Sequence, residues 1–258
     1  MKNVFKIALF ICITTHFSAQ SQQTALSVVN VVGENLPPFT LPDGSGQQFD
    51  VVRAIFEPLN LSVAIEVYPY KRAVALVERG DADMMIGMLK DDNHQLSYSA
   101  YPHDVDILIA IFKENNVDKW QGISSLHGKN VTMVTGLSKP IKAYLPEVEF
   151  DMSEVGTREQ AISKLKHSRT DYMIDSEGSY LTEMTENASA INFITKPIGV
   201  LQIHVAFATT DRGQRLKTLW DKHFIDFIQS DKAEEIYRKW HLSREYNNTK
   251  RFFAQQLN

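Results

Sequence analysis

Apolar positions follow one grammar through the first third of the chain. Leu26 to Val32 is a run rich in β-branched residues, closed by Gly33 and followed by the turn-rich Glu34-Asn35-Leu36-Pro37-Pro38-Phe39 and the loop Pro42 to Gly46. Phe49, Val52, Ile55, Phe56 and Leu59 then recur at helical spacing, and Val63, Ile65 and Val67 alternate as in a half-buried strand. Strand, helix and strand in that order predict a βαβ unit. Tyr70 to Arg79 reads as a second helix closed by Gly80, and Met84-Met85-Ile86 suits a buried parallel strand.

Val105 to Phe112 is an apolar strand able to leave one unit and enter another, and from Lys129 the same grammar restarts. Val131 to Val134 reads as a strand, Gly136 to Ser138 as a turn and Pro140 to Tyr144 as a short helix. Thr157 to Lys166 is a helix with Ala161, Ile162 and Leu165 inward, and Asp171 to Asp175 is a strand with acids at both ends. Ile203 to Ala208 returns as a strand, followed by helices over Gln214 to Ile228 and Asp231 to Trp240, and the weakly patterned stretch from Asn247 predicts a loosely held tail. The predicted organisation is a first lobe over 25–111 and 207–246, a second over 112–206 and a tail over 247–258. One lobe interrupted by the other, with two strand crossings, predicts a cleft suited to a small molecule.

Composition sharpens this picture at one end of the chain. Lys2 and Lys6, the apolar run Ile7 to Ile13 and the small or polar stretch Thr14 to Ser21 form a cleavable secretory signal over 1–21. Seven apolar residues fall far short of the ~20 a spanning helix needs, and no later segment is apolar enough for a membrane span. Without Lys2 and Lys6 the 27 basic residues become 25 against 31 acidic ones, which does not suit nucleic acid. The single cysteine, Cys12, lies within the signal, so the exported chain has no thiol chemistry; bulky Ile11 before it argues against a lipid anchor. The eight histidines show no HExxH or i, i+4 pairing, and His94 and His103 read as loop residues. Ser163-Lys164-Leu165-Lys166 lacks the companion motifs of a serine enzyme. No metal and no cofactor is expected.

Six segments in order carry a family resemblance: Asn35-Leu36-Pro37-Pro38-Phe39, Pro69-Tyr70-Lys71-Arg72-Ala73, Gly80-Asp81-Ala82-Asp83, Lys129-Asn130-Val131, Asp171-Tyr172-Met173-Ile174-Asp175 and Lys239-Trp240. Together they resemble the type II periplasmic binding proteins, specifically the family 3 solute-binding proteins best known for polar amino acids. The resemblance covers nearly all of the exported chain. It implies an α/β fold of two α/β domains joined by two hinge crossings, with the ligand cleft between them. It implies that the first lobe's loop and helix starts grip the ligand, with Tyr70 stacking on it; Glu34 and Arg72 are further candidate binding residues on that side. It also implies that the loop Gly136-Leu137-Ser138 reaches an anionic group with its backbone N–H groups and hydroxyl, beside the candidate Thr135, and that Asp175 takes the ligand's ammonium.

The amino-acid binders of that family carry serine or threonine after the strand at Met84 and then an arginine for the α-carboxylate. Here the stretch reads Gly87-Met88-Leu89-Lys90-Asp91-Asp92-Asn93-His94-Gln95, without arginine, so Lys90 or Arg72 is expected to supply the positive contact, to another carboxylate or a differently shaped ligand. On the residues alone, Asp175 also suits a strand-end cap, Tyr70 a core aromatic and Arg72 a solvated helix start.

The expectation is a monomeric periplasmic binder of a small polar ligand, working with an ABC permease or a sensor kinase and performing no chemistry. The alternatives are an exported dehydratase-like enzyme drawing on Glu34, Asp175 or Glu177, and an interaction module with a vestigial cleft.

Overall fold

The computed structural model describes residues 27–90, 93–114, 120–135, 141–142, 144–145, 147–186 and 193–256, so the signal segment, Cys12 and Ser138 lie outside the described residues. The strands are β1 (Val28–Gly33), β2 (Ser62–Val67), β3 (Met84–Leu89), β4 (Ser97–Tyr98), β5 (Asp104–Phe112), β6 (Asn130–Val134), β7 (Asp151–Val155), β8 (Tyr172–Ser176) and β9 (Ile194–Phe207). The helices are α1 (Gln47–Phe56), α2 (Tyr70–Glu78), α3 (Arg158–Lys166), α4 (Glu177–Glu186), α5 (Asp211–Ile228), α6 (Asp231–Lys239) and α7 (Ser243–Gln256).

These strands form one sheet in the order β2-β1-β3-β9-β5-β8-β6-β7, with β4 pairing β9 as well. The triplet β2-β1-β3 is parallel, as is β8-β6-β7, and the antiparallel pair β9-β5 lies between them. Helices cover both faces, as the continuous apolar runs of the inner strands require.

Side-chain alternation divides the apolar interior into four clusters, two per lobe. In lobe 1, Val29, Val31, Val205 and Phe207 face Phe49, Trp220 and Phe224, while Val32, Met85 and Ala206 face Ala73, Val74 and Val77. In lobe 2, Leu108, Ala110 and Phe112 join Val131, Tyr172 and Ile174; Ile109, Ile111 and Met173 pack beneath Ala161, Leu165 and Tyr180 of α3 and α4. The helices begin where the sequence supplies caps: Thr157, Thr210 and Ser230 each accept a backbone N–H of the first turn of α3, α5 and α6. Gly46 precedes α1 at φ 129°, and a Cβ there would lie 2.4 Å from the Phe39 carbonyl oxygen, so the turn into α1 requires glycine.

The principal elements fall where the periodicity predicts them, with several differences. Strands β4 and β7, the first half of β9 and helix α4 are absent from the prediction, and the clusters place Leu108 to Ile111 with lobe 2 and Val205 and Ala206 with lobe 1, a few residues off the predicted boundaries. The expected loose tail is instead the body of α7, where Tyr246, Thr249 and Phe253 are buried and repeat at helical spacing. Their interval is diluted by Asn247, Asn248, Lys250 and Arg251, which hides the apolar face in the sequence average. Tyr246 and Phe253 belong to the core of lobe 1, which therefore extends to the end of α7. His103 is likewise fully buried, edge-on to Trp220 at a centroid distance of 6.3 Å.

This packing predicts that Phe253→Ala costs about 3–5 kcal/mol, the usual range for deleting a buried aromatic. Urea unfolding of the variant checks it, and a change under about 0.5 kcal/mol, the scale of a surface substitution, would show that α7 is not part of the core.

Candidate functional site

In parallel α/β sheets, ligands bind beyond the carboxyl ends of the strands, where chain exits and helix starts gather. Here the strand register brings two such edges together. Along β9, Ile203 pairs with Leu89, the last residue of β3, and also with Asp104, the first residue of β5. Four residues earlier, Gly199 is level with Leu108, which in turn pairs with Ser176, the last residue of β8. Strand β3 runs antiparallel to β9, whereas β8 and β9 are both antiparallel to β5. The carboxyl ends of the two triplets therefore point towards one another, separated by four residues of crossing strand, about 13 Å at 3.3 Å per residue.

On the lobe 1 edge, β1 ends into Glu34, β2 into Tyr68 to Tyr70 and β3 into Lys90. The Glu34 carboxylate accepts the Tyr70 N–H, tying the exit of β1 to the first turn of α2; desolvation raises its pKa and that hydrogen bond opposes the rise. Tyr70 is half-buried against the cluster around Ala73 and Val74. Arg72 is exposed, and its guanidinium carbon lies 4.4 Å from the centroid of the Tyr68 ring, a cation–π contact that orients the charge. Lys90 is exposed at the end of β3, and its charge acts on His204 of β9. Burial first and Lys90 second bring the His204 pKa down to about 4.

On the lobe 2 edge, Thr135 follows β6 and is exposed, yet its N–H and its hydroxyl both donate to the Val155 carbonyl, at 2.9 and 3.1 Å. Asp175 lies on the face of β8 that it shares with Met173, beneath α3 and α4, and is 0% exposed. Arg158, the first residue of α3, forks onto it with Nε–Oδ2 at 2.7 Å and Nη2–Oδ1 at 3.3 Å, and the Ser176 N–H donates to Oδ1 at 2.8 Å. Burial raises the Asp175 pKa, against the field and hydrogen bonds of Arg158. Asp175 is thus not a free acid awaiting an ammonium, because its charge is already balanced within the lobe. Arg158, which the sequence reading did not single out, leaves about a fifth of its side chain accessible. Its signal was its place directly after the cap Thr157, two strands from a buried acid in need of a cation.

Between the edges, the start of β5 carries a buried polar group. Burial and the neighbouring Asp106 push Asp104 up to about 7, while Thr249 Oγ1 donates to it at 3.1 Å. Burial also brings His103 down to about 3, with the field of His204 adding to the shift. Asp106 accepts the Gly178 N–H at the head of α4 with both oxygens at 3.3 Å, joining the crossing strand to lobe 2.

Residues 28–243 match the family described as bacterial extracellular solute-binding proteins, family 3. No curated protein matches the sequence. Among solved structures, the chain is similar to the GluR0 ligand-binding core in complex with L-glutamate, with a TM-score of 0.66 and 15% identity over 84% of this chain and 99% of that one. It is similar to an ancestral arginine-binding protein bound to arginine, with a TM-score of 0.61 and 20% identity over 83% and 98%. A histidine kinase sensor domain resembling periplasmic binding proteins gives a TM-score of 0.63 and 18% identity over 82% and 95%. The fold is the two-lobed type II periplasmic binding fold. No described helix is long and apolar enough to cross a membrane.

Two predictions follow from the buried charges. Arg158→Ala leaves Asp175 buried and unpaired, which should cost about 3–5 kcal/mol. The double variant Arg158→Met/Asp175→Asn, with both charges removed, should recover most of that loss in chemical denaturation. Asp104 titrates near 7 when folded and near 3.8 when unfolded, so between about pH 4 and 7 the folded chain holds a proton the unfolded chain has released. Stability from this group therefore falls as pH rises through that window. Asp104→Asn should gain in melting temperature over the parent from pH 4 to 7 and level off above it. The buried histidines, whose pKa values are lowered and whose contribution has the opposite sign, cancel in that comparison. A flat difference would show that Asp104 is ionised throughout.

Proposed function

Because the chain belongs to the bacterial extracellular solute-binding proteins of family 3, we propose that it is exported by its 1–21 signal and captures a small polar solute in the periplasm by hinge closure. The captured form would then be read by an ABC permease or a sensor kinase. The observation that carries this reading is the convergence of the two carboxyl edges along β9, which gives each lobe a set of strand exits facing the other. A ligand touching both edges favours the closed arrangement by its differential affinity for it.

In this reading the lobe 1 edge offers Arg72, held over Tyr68, together with Tyr70, Lys90 and the carboxylate of Glu34. The lobe 2 edge offers Thr135, and Ser138 keeps only the role that the family resemblance implies for it. Asp175 takes part through Arg158: an ammonium would have to displace a two-bonded guanidinium, whereas an anionic group would meet its accessible side. The available cations therefore favour a ligand carrying a carboxylate or another anionic group. Capture is reversible and no bond of the ligand is changed.

A thermal-shift screen of residues 22–258 against amino acids, polyamines, dicarboxylates and short peptides tests this. A true ligand at 100 times its Kd should stabilise the chain by about 2.7 kcal/mol. Arg72→Ala and Lys90→Ala should each weaken that ligand at least several-fold while leaving the melting temperature of the free chain almost unchanged. Turnover of the bound compound would overturn the binder in favour of an enzyme. No stabilisation by any class would overturn solute capture.

A further inference from the structure

Helix α7 belongs to the lobe 1 core through Tyr246 and Phe253, yet its first turn reaches lobe 2. Arg244 Nη2 lies 2.7 Å from Oε1 of Glu245, and Arg244 Nη1 lies 3.8 Å from Oε2 of Glu177, the first residue of α4. The next residue, Gly178, donates its N–H to Asp106 of the crossing strand. A Cβ on Gly178 would lie 2.9 Å from Asp106 Oδ2, 3.0 Å from Glu245 Oε1 and 3.5 Å from Arg244 Nη2, so a side chain there would have to push these carboxylate and guanidinium ends aside. Three carboxylates from three elements thus surround one guanidinium. Burial works against the Arg244 charge, while the hydrogen bond and field of Glu245 and the fields of Glu177 and Asp106 hold it protonated.

The neighbouring contact of α7 has a different character. Thr249 Oγ1 donates to Asp104 and accepts the Val105 N–H, so it fastens α7 to the lobe 1 end of β5. One helix therefore holds one lobe with its middle and the other with its head.

We propose that the first turn of α7 is an inter-lobe latch, in which Arg244 and Glu245 clasp Glu177 and Gly178 around Asp106 and so set the angle between the lobes, and with it the affinity for solute. The clause on affinity rests on the solute-binding reading; the clause on the angle does not. Arg244 and Glu177 are positioning residues. The junction lies at the level of Ser176, so a change in it displaces the whole lobe 2 edge relative to lobe 1.

The test is the inter-lobe distance without ligand, measured by pulsed electron spin resonance on residues 22–258, which contain no native cysteine, between nitroxides at Lys222→Cys on α5 and Lys166→Cys on α3, both exposed. Glu177→Arg and Arg244→Glu should each shift the distance distribution. Gly178→Ala, which changes no charge, should shift it as well. Thr249→Val should lower the melting temperature and leave the distance unchanged, because it loosens α7 within lobe 1 alone. If a charge reversal prevents folding, Arg244→Gln carries the same expectation. Unchanged distances in the single variants or an equal shift from Thr249→Val would each overturn the latch. Because no solute enters the measurement, its failure is distinct from a failure of solute capture.

Discussion

The antiparallel pairing of β5 with β9 is the constraint on which the other features depend. Nine residues of β5, from Asp104 to Phe112, pair with β9 between Ile203 and Ile194. The two strands together supply side chains to all four apolar clusters. Neither lobe therefore has a core that excludes the crossing strands, and any relative motion must bend a hydrogen-bonded ribbon. The ribbon has one prepared weak point. Its register slips between Leu108 and Ile109, opposite Gly199 and Pro197, so Ile198 is unmatched. Proline donates no ladder hydrogen bond and glycine adds no packing, which is why both are confined to bulges and bends in strands.

That ribbon also explains why polar groups are buried where they are. Asp104 and Asp106 open β5 in the stretch between the two carboxyl edges, and His204 lies just beyond it on β9, opposite Met88. Each has backbone or side-chain partners from a different element: Thr249 from α7, Gly178 from α4 and Ser99 from the segment before β5. In a low dielectric such groups are costly when unmatched and directional when matched, so they register elements that apolar packing alone would leave free to slide.

Most of the fold was legible because the inner strands and helices bury one or both faces completely, which imprints a clean period on the sequence. The missed elements are those whose burial is partial. Strand β7 reads Asp-Met-Ser-Glu-Val with its alternate positions exposed, and the first half of β9 carries Lys196, Pro197 and Gly199, each of which argues against a strand. Helix α7 hides its buried positions, Glu245, Tyr246, Thr249 and Phe253, among polar amides and exposed cations. The candidate site was legible as a set of strand exits, because exits are sequence-local. Pairing was not legible, since Arg158 and Asp175 meet only through the β8-β6-β7 order and the packing of α3 over it. One signal for Asp175 was nonetheless present. Strand alternation places it on the face of Met173, under the helices, and so argues against a free acid in a cleft.

The same geometry bears on how affinity is distributed in a molecule of this kind. Under the proposed solute capture, a solute between the edges and the junction at Arg244 would both act on β8 and α4, one through the strand exits and the other through the head of the helix. Apparent affinity is the intrinsic affinity reduced by the fraction of molecules in the binding-competent arrangement. A substitution at Glu177 or Gly178 can therefore alter binding as much as one at Arg72, without either residue meeting the solute. Loss of binding on mutation thus does not by itself identify a contact residue here. Inter-lobe distance and affinity together separate the two roles, because a contact residue changes affinity at constant ligand-free geometry and a junction residue changes both.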